Sequence, residues 1–322
     1  MYFNQKNNFY HGIMFHHFHD EILHKRGQGS ISRDDFFKII NYIGRKNILD
    51  ADIFYEKLKN NKLNSTELCL TFDDAIKCQM DIALPVLEDF KIKSFFFVYT
   101  SIFEGNPDQL EVFRYFRMNY FEKIDDFYKE FYEILNKDLE LFFTKNNETI
   151  LHKKSIFPHY SIEDIKFRLV RDALLTKNEY ENTMFLMIRD KKFNYKKIQK
   201  KLFFEEKDIK QLDNLGHLVG LHTHNHPTRL EKFNFDDQKR EYEKNLTLIS
   251  KILNKPKNEI KYMSHPCGSY NSDTLEILKE IGIDLGFKQV MSIEKEKGMK
   301  KINNSNLEIA RQDHAEILKK IN

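Results

Sequence analysis

The sequence predicts an α/β fold built as an irregular barrel of seven strands. Three observations predict it. Short apolar or β-branched runs alternate with stretches of helical periodicity, the order expected of a parallel sheet or barrel. The 322 residues, 41% of them hydrophobic, suffice for one substantial core without a second full domain. Acidic and imidazole side chains gather directly after two of the apolar runs, where α/β folds place their chemistry.

The runs expected as strands are Gly12 to Phe15, Leu68 to Phe72, Ser94 to Tyr99, Leu218 to Thr223, Ile260 to Ser264, Asp284 to Val290 and Leu307 to Arg311. Ser32, followed by Asp34 and Asp35, has the form of an N-terminal cap and opens a helix through Arg45. Ala75 to Phe90, Asp236 to Leu253 and Ser272 to Ile281 read as further helices, with Pro85 kinking the first of them. The rhythm breaks over residues 101–210, where amphipathic segments such as Glu111 to Tyr132 and Ile162 to Leu175 show little sign of core strands. That stretch reads as a helical insertion within a single domain spanning residues 1–322. It serves either as a lid or wall over the strand ends or as an interaction surface.

Composition narrows the function classes. Lysine plus arginine exceed Asp plus Glu by only 52 to 49, a formal charge of +3 spread along the chain, which argues against nucleic acid as a partner. The three cysteines, Cys69, Cys78 and Cys267, form neither a Cys-x-x-Cys pair nor the even set of a secreted disulfide scaffold. The N-terminal stretch lacks the apolar core and cleavage site of a signal peptide. No apolar run approaches the roughly 18 residues of a spanning helix. The expectation is a cytoplasmic protein with reduced thiols and no integral membrane segment.

Two constellations carry chemistry. In Leu68-Cys69-Leu70-Thr71-Phe72-Asp73-Asp74-Ala75 an apolar strand ends in two adjacent carboxylates. Like charges so close raise one carboxyl's proton affinity unless a cation or donor compensates. A metal held by one acid and a proton taken by the other would resolve the repulsion. The plainer alternative is an Asp capping a helix that begins at Ala75.

In Gly220-Leu221-His222-Thr223-His224-Asn225-His226-Pro227 three imidazoles follow another apolar run. Neutral imidazole is the commonest nitrogen ligand for zinc. On an extended strand all three would share a face, whereas a turn after Thr223 would let two ligands four apart converge. The spacing is that of the helical metalloprotease motif without the Glu next to the first His, so that motif's base is missing. One Asp with two His gives three protein ligands and an open position for water.

These segments, with His265-Pro266-Cys267-Gly268-Ser269-Tyr270-Asn271, resemble three successive motifs of the polysaccharide deacetylase family, the NodB-homology carbohydrate esterases, and they appear in the family's order. Ile13-Met14-Phe15-His16 and Leu285-Gly286-Phe287-Lys288 are similar to further family segments. The resemblance covers roughly residues 11–100 and 215–314 and leaves the insertion unexplained. It implies a (β/α)7 barrel of the NodB-homology type, with Asp73 as catalytic base and Asp74, His222 and His226 as metal ligands. His224 is then a position behind the site or facing solvent. The ion would be one divalent metal, Zn2+ first, with Co2+, Ni2+ or Fe2+ compatible with the same ligands. The turn at Cys267 and Gly268, with Tyr270, would line the substrate groove, and the Cys267 N–H would help bind the oxyanion.

The chain also departs from the family. Ser264 stands where many members carry the Arg that orients the base, and Arg311, in Ile309-Ala310-Arg311-Gln312-Asp313-His314, is the candidate to replace it. His314 is the candidate general acid. His16 reads either as a strand-end pocket residue or, more simply, as a buried, hydrogen-bonded structural histidine; His17, His19 and Asp20 make its segment unusually polar, which fits a strand emptying into a polar cleft. Ala75 replaces the usual Gly and suits a helix start.

The resemblance implies a hydrolase that removes an N-acetyl group from an amino sugar by attack of water held at the metal. The carbohydrate is expected to be a nucleotide- or lipid-linked precursor of a surface glycan. The competing classes are a glycan-binding protein without catalysis, and a one- or two-metal peptidase or phosphoesterase. A phosphoesterase commonly needs more bridging carboxylates than this chain displays.

Overall fold

The computed structural model describes residues 2–4, 7–20, 22–27, 29–107, 109–157, 160–293 and 301–321. Seven strands form one sheet: β1 (His11–Phe15), β2 (Leu68–Phe72), β3 (Phe95–Val98), β4 (Leu218–Leu221), β5 (Tyr262–Ser264), β6 (Leu285–Phe287) and β7 (Arg311–Asp313). Every pairing is parallel, and the order is β6-β5-β4-β3-β2-β1-β7. The two outermost strands are joined by a bridge from Phe287 to Ile309, two residues before β7. Ile309 N–H donates to Gly286 O and Lys288 N–H donates to Ile309 O, each at 2.9 Å. The sheet therefore nearly closes into a (β/α)7 barrel. The run Leu307 to Arg311, expected as the last strand, is where the chain crosses from the β6 edge to the β1 edge. The β1 ladder is taken by Arg311 to Asp313 instead.

Strands buried on both faces read as unbroken apolar runs, and β1 and β2 are buried at all five positions. Successive side chains alternate between the two faces. Cys69 joins Phe95, Phe97, Leu285, Phe287 and Ile309 inside the barrel, while Leu68, Leu70 and Phe72 pack outward against the helices. Each fully buried Phe contributes about 1.5–3 kcal/mol. A side chain at Gly220 would put its Cβ 2.6 Å from Tyr262 O, so the absence of one lets β4 lie against β5.

The outer layer begins with α1 (Arg33–Ile43), opened by a capping box of Ser32 and Asp35. The next helix, α2 (Ala51–Lys59), was not expected from the sequence. It closes the barrel at the N-terminal ends of the strands. Ala51 N–H donates to Lys93 O just before β3, Tyr55 donates to Asp284 just before β6, and Lys57 pairs with Glu67 just before β2. Its Phe54 meets Phe95 and Phe287 inside. The opposite mouth, at the carboxyl ends of the strands, is the one where the loops can build a site.

The helix expected from Ala75 to Phe90 opens as a turn. Asp74 and Ala75 both take positive φ (76° and 53°), and helical structure is carried by a π turn at Gln79–Ala83 followed by α3 (Leu84–Asp89). Gln79 Nε2 donates to both His16 O and Asp73 O, which pins that turn. Pro85 has no N–H to return to the preceding turn, and the wider π turn absorbs the loss. Ala75 therefore occupies a left-handed position that favours glycine rather than a helix start.

The chain forms two compact units. Met1–Arg26, Ser30–Asp108 and Phe203–Asn322 make the barrel, and Gly27–Gly29 with Gln109–Leu202 make a helical unit. The latter holds α4 (Leu110–Asn119), α5 (Ile124–Leu135), α6 (Glu140–Lys145), α7 (Asn147–Ile156), α8 (Ile162–Leu169), α9 (Lys177–Asp190) and α10 (Tyr195–Leu202). In its core Phe127, Phe131 and Tyr180 meet Phe167 edge to face, and Arg117 lies over the Phe167 ring, 3.7 Å from the buried carboxylate of Asp164. The barrel resumes with α11 (Glu206–Asn214), α12 (Phe235–Leu253), α13 (Ser272–Glu280) and α14 (His314–Ile321).

Candidate active site

Because all seven strands run parallel, residues at their carboxyl ends meet at one mouth. Asp73 and Asp74 follow β2, His222 follows β4, His265 follows β5 and His16 follows β1. The turn after Thr223 that would make His222 and His226 converge is present, with Thr223 at φ 63° and His226 at φ 54°. Thr223 Oγ1 accepts the His226 N–H at 3.2 Å and holds that turn.

Asp74 Oδ1 lies 3.1 Å from His222 Nε2 and 3.2 Å from His226 Nε2. All three residues are buried, and one ligand atom from each fits within 4.8 Å of the others. A tetrahedral ion with bonds near 2.0–2.1 Å has ligands about 3.3 Å apart, so the separations fit a divalent metal. His222 Nδ1 is committed to Ser264, 2.9 Å from its carbonyl and 2.8 Å from its hydroxyl, which leaves Nε2 for the ion. Burial acts to raise the Asp74 carboxyl, but His226, His222 and His16 outweigh it and hold it well below the usual carboxylate range. An ionised Asp74 between two imidazoles is the donor set a divalent cation selects.

Asp73 sits beside this group with different partners. Its Oδ1 accepts from Arg311 Nη1 at 2.7 Å and from Ser264 Oγ at 3.1 Å. Arg311 is fixed in turn by Nε donating to Lys288 O at 2.9 Å, and both members of the pair are almost wholly buried. Burial again acts to raise the carboxyl, and Arg311, His222 and His16 together hold it below its ordinary value. Asp73 is therefore an ionised carboxylate in a dry site. With Oδ1 engaged, Oδ2 faces the mouth, 3.8 Å from His16 Nε2.

Other expected site residues are distributed less uniformly. His224 turns away from Asp74. Its Nδ1 lies 3.0 Å from Thr100 Oγ1 and its Nε2 3.4 Å from Glu104, and burial followed by Lys244 lowers its pKa. Cys267 is exposed, at φ 52° on the turn after β5, and Gly268 beside it takes φ 66°. A Cβ on Gly268 would approach Gln289 Oε1 to 3.0 Å. Tyr270, expected to line the groove, is instead turned inward. It is 1% exposed, its ring stacks on His265 at 4.1 Å and its hydroxyl donates to Glu308. His314 begins α14, with Nδ1 3.1 Å from Met14 O and its ring stacked on Phe15.

Sequence reasoning undervalued two residues. His16, taken as structural, has a side chain 23% exposed and stands 3.8 Å from Asp73 Oδ2 and 3.9 Å from Asp74 Oδ2. Its polar neighbours in sequence were the available signal. Ser264, noted only for an arginine it replaces, bridges Asp73 and His222 with one hydroxyl.

Comparison with known proteins bears on the fold and on part of the sequence. A family profile described as polysaccharide deacetylase matches residues 172–286. No curated protein matches the chain in sequence. Among solved structures, the deacetylase PplD of Streptococcus pyogenes, in complex with acetate, is similar at a TM-score of 0.55 and 16% identity, covering 97% of each chain. A de-N-acetylase from Aggregatibacter actinomycetemcomitans gives 0.55 and 13%, covering 97% of this chain and 99% of that one. IcaB from Ammonifex degensii gives 0.54 and 15%, covering 98% and 97%. At such identities the structures share the fold. The chain therefore shares the (β/α)7 barrel of these deacetylases, and over residues 172–286 it is similar to the polysaccharide deacetylase family.

Proposed function

We propose that the protein is a metal-dependent de-N-acetylase that removes the acetyl group from an N-acetylated amino sugar of a glycan or its precursor. One observation carries the proposal: an ionised, buried carboxylate with its own cation, Asp73 beside Arg311, adjoins the Asp74, His222 and His226 group. The similarity of residues 172–286 to polysaccharide deacetylases supports glycan de-N-acetylation as the general reaction.

In this reading Asp74, His222 and His226 hold one divalent ion, most simply Zn2+. A bound ion supplies Lewis acidity, which polarises the acetamide carbonyl and acidifies the adjacent water. Asp73 takes the proton of the attacking water on Oδ2, because Oδ1 is occupied by Arg311 and Ser264. The backbone N–H of Cys267 is the donor assigned to the oxyanion. As the C–N bond breaks, the nitrogen needs a proton, and His16 is the imidazole poised near both carboxylates at the mouth. Acetate and a free amine leave.

The substrate class belongs to the same proposal: a nucleotide- or lipid-linked amino sugar, handled in the cytoplasm. Acetate release is to be measured from a panel of such sugars and from chitin-like oligomers, with wild type and Asp73→Asn side by side. Equal release by both proteins would overturn the mechanism. Activity confined to long polymers would overturn the substrate class.

A further inference from the structure

The loop carrying His222 and His226 leaves the sheet abruptly. The last ladder pairing of β3 with β4 is Val98 with Leu221, so the His222 N–H has no strand partner. Two residues of the loop, Thr223 and His226, hold left-handed backbone conformations that non-glycine residues resist. Thr223 Oγ1, and the Thr100 and Ser101 N–H groups that donate to His224 O, hold part of that path, and one face of α12 holds backbone N–H groups of the loop.

Asn245 is fully buried on the α12 face that also presents Gln238, Tyr242, Leu246, Ile249 and Ile252. A buried amide there requires hydrogen bonds, and it has them. Its Oδ1 accepts the His222 N–H at 2.9 Å, and its Nδ2 donates to Val98 O at 2.9 Å and to Thr100 Oγ1 at 3.1 Å. One helical turn earlier, Glu241 Oε2 accepts the N–H groups of His224 at 3.0 Å and Asn225 at 2.7 Å. Its Oε1 accepts from Asn225 Nδ2 at 2.6 Å. Residues four apart on a helix share a face, so two side chains from one helix grip three backbone N–H groups of one loop.

We propose that Glu241 and Asn245 are the positioning residues of this loop, holding His222 and His226 in register with Asp74 and so setting how tightly the three take a divalent ion. The proposal rests on the reading of those three as ligands. Neither residue is among the three that would hold the ion. Their effect passes through the loop backbone, as partners behind a ligand do in metal sites generally.

The test titrates Zn2+ calorimetrically, and Co2+ by its visible absorption, into the metal-free full-length protein. Wild type is compared with Asn245→Ala, Glu241→Ala, Glu241→Gln and, as a control, Ile249→Ala, which thins the same helix face and removes none of these hydrogen bonds. Glu241→Ala and Asn245→Ala should weaken binding by about 10- to 100-fold and alter the Co2+ spectrum. Glu241→Gln, which keeps a carbonyl acceptor, should recover most of the affinity, and Ile249→Ala should bind as wild type does. Far-ultraviolet circular dichroism in chelator confirms that each variant is folded. If Asn245→Ala does not fold, half-buried Glu241 carries the test. Wild-type affinity in the folded Glu241→Ala protein, or equal weakening in Ile249→Ala, overturns the proposal. A wild type that takes no ion overturns the ligand reading beneath it.

Discussion

Arg311 Nη1 lies 2.7 Å from Asp73 Oδ1, and neither side chain is more than 2% exposed. These residues stand 238 positions apart in the chain and meet because β7 pairs with β1, which pairs with β2. The pair fixes both where the proposed base points and that it is charged. Removing one partner of such a pair strands a charge, which typically costs about 3–5 kcal/mol.

Arg311→Met should therefore destabilise the fold by about that amount in denaturant melts. Since Arg311 helps hold the Asp73 carboxyl below its ordinary value, its loss raises that pKa. The base must be ionised to act, so the acid limb of the pH–rate profile should move to higher pH. The double variant Asp73→Asn Arg311→Met should lose less stability than the two single losses summed. An unmoved acid limb, or plain additivity, would show that the contact does not tune Asp73.

Asp74 sits at φ 76°, a conformation Asn also tolerates, so Asp74→Asn removes the charge without disturbing the turn. Wild type should gain about 2.7 kcal/mol of stability when the ion is present at a hundred times its Kd, and lose it to a chelator. The variant should melt at one temperature with or without metal. A chelator response in Asp74→Asn equal to that of wild type would place the ion elsewhere.

The two candidate acids can be separated by kinetics. His16 stands within 4 Å of both carboxylates, whereas the His314 ring is stacked on Phe15 at the base of α14. His16→Asn should lower kcat by about 10²- to 10⁴-fold with metal affinity retained. His314→Asn should mainly lower the melting temperature. The reverse pattern would return the acid role to His314.

What the sequence disclosed follows from where its signals were local. β2 is found at Leu68–Phe72 as expected, because an apolar run there meets charge on both sides. The acids after β2 and the imidazoles after β4 are each contained in one short motif, and the parallel barrel brings them together. The helix α2 shows apolar residues at 51, 54, 55 and 58, a helical pattern, but only over nine residues, and its task of closing the barrel has no sequence signature. The turn at Asp74 and Ala75 was hidden because alanine reads as helical wherever it stands, whatever φ the tertiary structure imposes. β7 was placed early because Arg311, Gln312 and Asp313 do not look like a buried strand until Arg311 has Asp73 to face. The choice between His16 and His314 is one of direction, and neither composition nor spacing encodes it.

Acid stability should report a histidine outside the site. His217 precedes β4, its Nδ1 accepts the Ser94 N–H at 3.1 Å, and its Nε2 is buried with no hydrogen-bond partner among the described residues. Burial, then Lys93, lowers its pKa from 6.5 to about 4. Between those values the unfolded chain binds a proton that the folded chain refuses, so stability falls as pH falls through that window. A gap of this size is worth up to about 3 kcal/mol. His11, also brought down to about 4 by burial, acts in the same direction. His217→Asn keeps an acceptor for Ser94 and cannot be protonated. In chelator, its stability between pH 5 and 6 should therefore decline less steeply than that of wild type, by about 1.4 kcal/mol per pH unit at most. Parallel curves for the two proteins would mean that His217 takes up its proton in the folded state, and that the barrel opens there more easily than its packing implies.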